Sequence, residues 1–327
     1  MFMNTSRRIV VPLFAAVVSL HLTGVSQTSS KTSQAESSPR ATNHFLLTAT
    51  VINKKGDFVT GLQKDNFRVF FDNEPVNITD FSEADLPLSV GILFDASASV
   101  INAGSPRDFL NAFQQALRAL LHSSNKSNEY FLLAFNNSPQ LLLDWTADPN
   151  ALADALNFVR PKGNTAVYDA CYLAIDKLQH GRYSKRALIL ISDGEDNVSS
   201  YSFNQLREAL RESDVLLYTV NFSNRNGAGS SLGMEGQLIL KELSSISGGM
   251  FFSTKGAPLR IKDATSVFEV IASELAHQYS VEIQPQFSNV DNKWHKIKIR
   301  AESPPNARGE TKRLQARTRE GFYLNHR

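Results

Sequence analysis

The sequence predicts an α/β fold: a doubly wound, mostly parallel sheet, inserted in a small β-rich, sandwich-like domain. Three observations carry that expectation. Val90–Phe94 is an unbroken apolar run of the kind that suits a strand buried on both faces, and it ends abruptly at Asp95, Ser97 and Ser99. From Leu88 onward apolar strands alternate with amphipathic helices, the pattern of a parallel sheet covered on both faces. On either side of that region the chain carries short strands without helices, and two β stretches flanking one α/β region are expected to pair with each other.

The elements follow in order. Met1–Ser26 reads as an export signal: Arg7 and Arg8 form the positive region, Ile9–Leu22 the apolar region, and Gly24-Val25-Ser26 a small-residue cleavage site. The apolar run is shorter than the roughly 20 residues of a spanning helix; an uncleaved N-terminal anchor is the alternative. No cysteine follows it, which excludes a lipoprotein anchor. Residues 27–43 are rich in Ser, Thr and Gln with no hydrophobic period and read as a disordered linker. Residues 44–86 form an N-terminal β segment, with strands at Phe45–Ile52, Asn66–Phe71 and Val76–Phe81 separated by turns at Asn53–Asp57 and Asp72–Pro75.

Residues 87–279 are the α/β domain. Strands are expected at Val90–Phe94, Tyr130–Phe135, Arg186–Ser192, Val215–Val220 and Gly249–Phe252. Helices are expected at Pro106–Ser123, Pro149–Val159, Val167–Leu178, Asn204–Glu212, Gly236–Ile246 and Ser266–His277. Residues 280–327 form a C-terminal β segment that packs with 44–86, its strands at Tyr279–Gln284, Trp294–Ala301 and Arg313–Arg319. Ligands of such sheets sit outside the carboxyl ends of the strands.

Composition narrows the function. A 42% hydrophobic and 20% charged makeup is that of an ordinary soluble globular protein, and 327 residues allow two domains with real cores. A net charge of +2, with no basic stripe interleaved with aromatics, gives no support for nucleic-acid binding. The basic residues between Lys293 and Arg319 alternate with apolar ones and read as the solvated face of strands. The single cysteine, Cys171, rules out an intrachain disulfide and sits in a helical apolar pattern, as a buried structural thiol does.

Oxygen-bearing side chains at alternate positions after a buried strand are what a hard divalent cation needs, Mg²⁺, Mn²⁺ or Ca²⁺ rather than zinc. Asp95-Ala-Ser-Ala-Ser99, Gly163-Asn-Thr165 and Ile191-Ser-Asp-Gly-Glu195 together, in that order, resemble the three loops of a von Willebrand factor type A domain with a metal-ion-dependent adhesion site. The resemblance covers about Pro87 to Tyr279. The flanks, with Gly56–Leu62 before and Arg319–Tyr323 after, are similar to the type A-related proteins common in acidobacteria. The resemblance implies a Rossmann-like fold and a ligand set of Asp95, Ser97, Ser99, Thr165 and Asp193. Within it, Ser97 and Ser99 would bind the metal directly, Thr165 directly or through water, and Asp95 and Asp193 through metal-bound waters. Ala98 stands where the family usually has Gly, and Val100 where it often has Met; neither removes a ligand.

Several of these residues also admit other readings. Thr165 also suits the N-cap of the helix that follows. Glu195 and Asp196 read as residues that shape the third loop, and Asp169 and Asp176 as solvated or structural helix residues. Gly229-Ser-Ser-Leu-Gly233 matches a nucleophile-elbow string, but a polar loop separates it from the preceding strand, whereas the elbow turns directly from strand to helix. Phosphate-loop, dinucleotide and zinc-protease motifs are absent.

The export signal and the ligand set, with no base or nucleophile beside it, together point to an exported, non-enzymatic protein of the periplasm, envelope or exterior. It would bind a protein partner whose Asp or Glu carboxylate completes the metal shell. The alternative is a structural or assembly component of the envelope whose metal site is not used for binding.

Overall fold

The computed structural model describes residues 44–99, 106–222, 231–253, 261–285, 293–305 and 309–324. The export signal, the linker, Val100, the turn at Asp291-Asn292 and the first two residues of the Gly229–Gly233 string lie outside the described residues.

The chain enters through β1 (Phe45–Ile52), β2 (Phe67–Phe71), β3 (Glu74–Val76) and β4 (Ile78–Glu83). β2 and β3 are joined by a tight turn in which Asp72 and Asn73 both take positive φ, a conformation Asn and Asp tolerate better than most residues. The central region then supplies β5 (Ser89–Asp95), α1 (Pro106–Ser123), β6 (Glu129–Phe135), β7 (Pro139–Thr146), α2 (Pro149–Ala155), α3 (Val167–Gln179), β8 (Arg186–Ser192), α4 (Phe203–Glu212), β9 (Val215–Asn221), α5 (Ser231–Ser247), β10 (Phe251–Ser253) and α6 (Ile261–Ala276). It closes with β11 (Gln278–Ile283), β12 (Trp294–Glu302), β13 (Arg313–Arg317) and β14 (Gly321–Tyr323).

The central sheet has the order β10-β9-β8-β5-β6-β7. Its first five strands are parallel, and β7 lies antiparallel on β6. All residues of β5 are buried, as its unbroken apolar run requires. Ile92 and Phe94 face a core built with Phe109 and Phe113 of α1, Leu152 of α2 and Phe268 of α6. Leu93 faces the opposite core, built with Val167 of α3, Leu206 of α4 and Leu240 of α5. Gly91 shares that second face. A Cβ there would lie 2.5 Å from Phe131 Cζ and 2.8 Å from Leu188 Cδ1, so the glycine makes room for the Phe131 ring. Cys171 is buried in the same core, and burial pushes its thiol pKa up, as befits an inert structural thiol.

Three strands have no counterpart in the sequence reading: β3, whose first residues were read as a turn, β14, which lies past the last expected strand, and β7. β7 is the longest of them. Its residues are half buried or exposed, and Leu141 is on the surface. An edge strand of this kind lacks the apolar run of its neighbours, and proline at its first position suits an edge. The region 149–159 is a helix only to Ala155 and continues as a 3-10 turn through Phe158.

The flanking strands form one antiparallel sheet of order β3-β2-β12-β13-β1-β11-β4, with β14 added on β12. N-terminal β1 pairs with C-terminal β11 and β13, and β2 with β12. The sandwich-like expectation holds only in part: a single sheet curls around one core of Leu47, Val51, Phe67, Tyr279, Val281 and Ile299. The nine residues of β12 make the curl possible, since its start pairs with β14, its middle with β2 and its end with β13.

The two sheets belong to one compact unit. β11 follows α6 almost directly, and the segment between β13 and β14 docks on the end of α5, where Glu320 N donates to Ile246 O at 3.2 Å. Gly248, at φ +84°, lets that segment approach, since a Cβ there would lie 2.6 Å from Arg319 N. Among the described residues no helix is long and apolar enough to cross a membrane.

Candidate metal centre

β5 and β8 are neighbours in register, so their carboxyl ends deliver Asp95 and Asp193 to the same edge of the sheet. The loop after β5 is fixed by its backbone. Ala96 N donates to Phe135 O at 2.7 Å, Lys162 N to Ala96 O at 2.9 Å, and Ala98 N to Gly163 O at 3.0 Å. The last two bonds zip the Asp95–Ser99 loop to the loop that carries Thr165. Ala98 is not among the positive-φ residues, so the alanine carries no left-handed strain. Gly163 does need its glycine: φ is +79°, and a Cβ would lie 2.7 Å from Asn137 Oδ1.

Asp95 is fully buried, and both its oxygens are held. Ser97 N donates to Oδ1 at 2.9 Å and Ser192 Oγ donates to Oδ2 at 2.7 Å. The hydroxyls of Ser97 and Ser99 are 2.9 Å apart, and Ser99 also hydrogen-bonds the Asp193 carboxylate. Glu195 N donates to Asp193 Oδ1 at 3.1 Å, while Asn221 Nδ2 anchors the Asp193 carbonyl at 3.1 Å. Thr165 is clamped by Asn197: its amide donates to Asn197 Oδ1 at 2.9 Å, and its carbonyl accepts from Asn197 N at 3.0 Å. Four of the five candidate ligands, Asp95, Ser97, Thr165 and Asp193, are buried, and Ser99 is half-buried at the loop's outer side.

The N-cap role for Thr165 does not materialise. α3 starts after Ala166 with no side-chain cap. Its first amides are taken from the third loop, Tyr168 N by Asp196 Oδ2 and Ser199 Oγ at 3.1 Å each, and Asp169 N by Ser199 Oγ at 3.2 Å. The Thr165 hydroxyl is thereby left for the site, and Asp196 shapes its loop.

Electrostatics point the same way. Burial and then the charge of Asp193 push the Asp95 pKa from 3.8 up to about 7, against the pull of the Ser97 and Ser192 hydrogen bonds. Burial likewise raises Asp193, and burial together with Asp193 raises Glu195. Among the described residues no lysine, arginine or histidine pairs with Asp95 or Asp193. Two buried carboxylates with hydroxyls around them and no basic partner among the described residues are a set that suits a cation. The donors gathered here are two carboxylates and three hydroxyls, hard oxygens of the kind that suits Mg²⁺, Mn²⁺ or Ca²⁺ rather than a soft metal.

Sequence reasoning missed Ser192, Asn197 and Asn221, which hold the candidate ligands without belonging to them. Ser192 was legible in principle, as a hydroxyl buried at the end of an apolar strand beside Asp193. Replacing Ser192 by Ala removes the bond that holds Asp95 Oδ2. The expected result is a loss of about tenfold or more in Mg²⁺ affinity with the fold intact, the scale typical of groups that orient metal ligands. Calorimetric titration checks it.

Several solved structures are similar to this chain. One is an aerotolerance-related membrane protein from Bacteroides fragilis, with a TM-score of 0.46 and 18% identity, covering 57% of this chain and 98% of that one. Another is the vWF domain of a type V pili tip protein from Porphyromonas gingivalis, with a TM-score of 0.47 and 13% identity, covering 59% and 95%. A von Willebrand factor type A protein from Catenulispora acidiphila has a TM-score of 0.45 and 11% identity, covering 88% and 75%. No curated protein matches the chain. Residues 90–195 match the family model described as von Willebrand factor type A domain, and that stretch contains Asp95, Ser97, Ser99, Thr165 and Asp193.

Proposed function

We propose that this is an exported binding protein whose α/β domain holds a divalent cation, Mg²⁺ or in its place Mn²⁺ or Ca²⁺, and uses it to grip a carboxylate of a protein partner. The observation that carries the reading is the burial of Asp95 and Asp193 together, ringed by hydroxyls and without a basic partner. The match of residues 90–195 to the type A domain supports it.

Ser97, Ser99 and Thr165 would offer hydroxyl oxygens, and Asp95 and Asp193 would orient water and supply charge. The cation, when bound, supplies an electrophilic point to which an Asp or Glu of the partner can add. The chain's own residues preorganise that point: Ser192 and Ser97 N lock Asp95, and Asn197 locks Thr165. The loop beside Thr165 exposes Arg160 and Lys162, and Val198 is exposed next to Asn197. That mixture suits an acidic segment bearing an apolar side chain. We read the protein as a binder rather than an enzyme, and its place as the envelope or exterior.

The test is retention of an envelope partner on the immobilised chain with Mg²⁺ and with EDTA, with Asp193→Ala as control. Release by EDTA and failure of Asp193→Ala to retain the partner are expected. Retention that ignores both treatments would overturn the reading and leave docking to the β domain, as an assembly component would have it.

A further inference from the structure

β12 lies inside its sheet, between β2 and β13, yet every outward residue from Lys296 to Glu302 is charged. Ile297, Ile299 and Ala301 point into the core, so Lys296, Lys298 and Arg300 stand in a row on the outer face. Alternate residues of a strand are about 6.8 Å apart. The register widens the row into a patch. Arg300 is directly opposite Arg68 of β2, and Lys298 is opposite Phe70. Arg313 of β13 stands opposite Glu302, at the end of the row. All five cations are exposed.

Packing and pairing within the sheet do not account for them. Like charges directly opposite on neighbouring strands are destabilising. Lysines that blunt a sheet belong to edge strands, and β12 is not an edge. None of the five cations has a carboxylate of a described residue within ion-pair distance. Asp72 is taken by His295 and by Lys296 N, and Glu302, the one acid of β12, accepts from Thr311. Arg68 donates to the carbonyls of Asp65 and Phe67, and Arg300 lies over the Phe70 ring at 4.7 Å. These contacts hold the guanidiniums without neutralising them. The whole chain carries a net charge of only +2, so this face is a local concentration of charge.

Shape and composition select the partner. The outer face of a sheet that curls around its core is convex, so it offers no groove to track the backbone of a polymer. Phe70 lies beneath Arg300, so no open ring is presented for stacking bases. Among the described residues no exposed large apolar side chain belongs to β2, β12 or β13, so nothing is offered for insertion among lipid tails. A convex basic face with neither groove nor apolar tip fits a flat anionic surface.

We infer that the outer face of β2, β12 and β13 is a docking surface for an anionic phospholipid membrane, with Arg68, Lys296, Lys298, Arg300 and Arg313 over the lipid phosphates. The contact is peripheral and electrostatic. It uses no residue of the candidate metal centre.

The experiment is co-sedimentation of residues 40–327, the compact unit that holds both sheets, with lipid vesicles in EDTA. Leaving out the apolar run Ile9–Leu22 keeps it from entering the bilayer. Phosphatidylcholine vesicles with about 30 mol% phosphatidylglycerol are expected to bind at least about tenfold more tightly than phosphatidylcholine alone at low salt. Most of that advantage should vanish in about 0.5 M NaCl. Lys298→Gln and Arg300→Gln are each expected to weaken binding about fivefold, the scale of one cation near an anionic surface. Both side chains are exposed, so the variants should fold, and a thermal melt verifies this. Asp193→Ala should bind unchanged. Equal binding to the two kinds of vesicle, or binding indifferent to both substitutions, overturns the inference. Polyglutamate that displaces the charged vesicles at equal charge concentration also overturns it and gives the face to an acidic protein segment. The comparison of the two vesicles on the unmodified sequence decides the matter even if a variant does not fold.

Discussion

Asp193→Asn is expected to stabilise the metal-free protein while abolishing its response to Mg²⁺. The two effects have one cause. In the absence of a cation Asp95 and Asp193 are buried together, and the charge of Asp193 is one of the two causes that push the Asp95 pKa from 3.8 up to about 7. The sign follows from proton binding. Between about pH 4 and 7 folded Asp95 keeps a proton that the unfolded chain releases, so metal-free stability is full at the acid end and falls as pH rises. Above that window the loss is constant. Asparagine at 193 removes the repulsion and can still accept from Ser99 and Glu195 N. Burial remains, so only part of the penalty is recovered, about 1–2 kcal/mol at pH 8 and little at pH 5. Thermal melts in EDTA at the two pH values measure it. The parent chain should gain about 2.7 kcal/mol from a cation at a hundred times its dissociation constant, and the variant none. A variant that melts lower than the parent in EDTA at pH 8 shows that the pair is not held in opposition. Cation affinity should rise with pH across the same window, because binding expels the proton from Asp95.

The candidate metal centre was more legible than its surroundings, for a physical reason. Its ligands stand where buried apolar strands stop, and a run such as Val90–Phe94 announces both the strand and its end. The residues that hold the ligands act across the sheet. Ser192 reaches Asp95 from the neighbouring strand, and Asn197 reaches Thr165 from a loop that is distant in sequence. Nothing local distinguishes Asn197 from a turn residue, and Ser192 is marked only by its place at the end of an apolar strand. α5 begins at Ser231, earlier than its apolar pattern indicates, because Gly233 and Gly236 weaken the helical signal. Gly236 is there for packing: a Cβ would lie 2.6 Å from Asp193 O, so the helix can lie against the metal loop only through a glycine. The curl of the β domain depends on which strand pairs with which, and periodicity carries no such information.

Reading the basic residues between Lys293 and Arg319 as a solvated face holds for Lys296, Lys298 and Arg300, which are exposed along β12. It fails for Arg317 and Arg319. Arg319 lies at the junction of the sheets, where it holds Asp214 and the carbonyl of Arg211. Arg317 donates to Gly248 O at 2.9 Å and pairs with Glu274, near the end of α6. Alternation told which face of the strand is polar. It could not tell that part of this face is covered by the other sheet's helices.

Arg317→Met is expected to cost about 3–5 kcal/mol, the largest stability loss of any single substitution proposed for this chain. Glu274 is fully buried, and the acidic group is shared among both sheets. Besides Arg317 of β13, Oε1 accepts from Tyr218 of β9 at 3.0 Å and from Thr50 of β1 at 3.1 Å, and Gln278 Nε2 supports the Tyr218 hydroxyl at 3.2 Å. Removing Arg317 leaves a buried carboxylate with two neutral donors and Oε2 without any. The cost is that of stranding the charge, not the worth of the pair. The double variant Arg317→Met with Glu274→Gln should therefore recover at least about half of the loss, a non-additivity expected of residues in direct contact. Because the network ties β1 and β13 to β9 and α6, its loss should also loosen the junction, and calorimetry should show an unfolding transition broader than the parent's, or divided, in Arg317→Met. If Arg317→Met melts within about 1 °C of the parent, where a loss of this size predicts several degrees, the pair behaves as a surface ion pair. The junction would then rest on Arg319 and on the contact between Glu320 and α5.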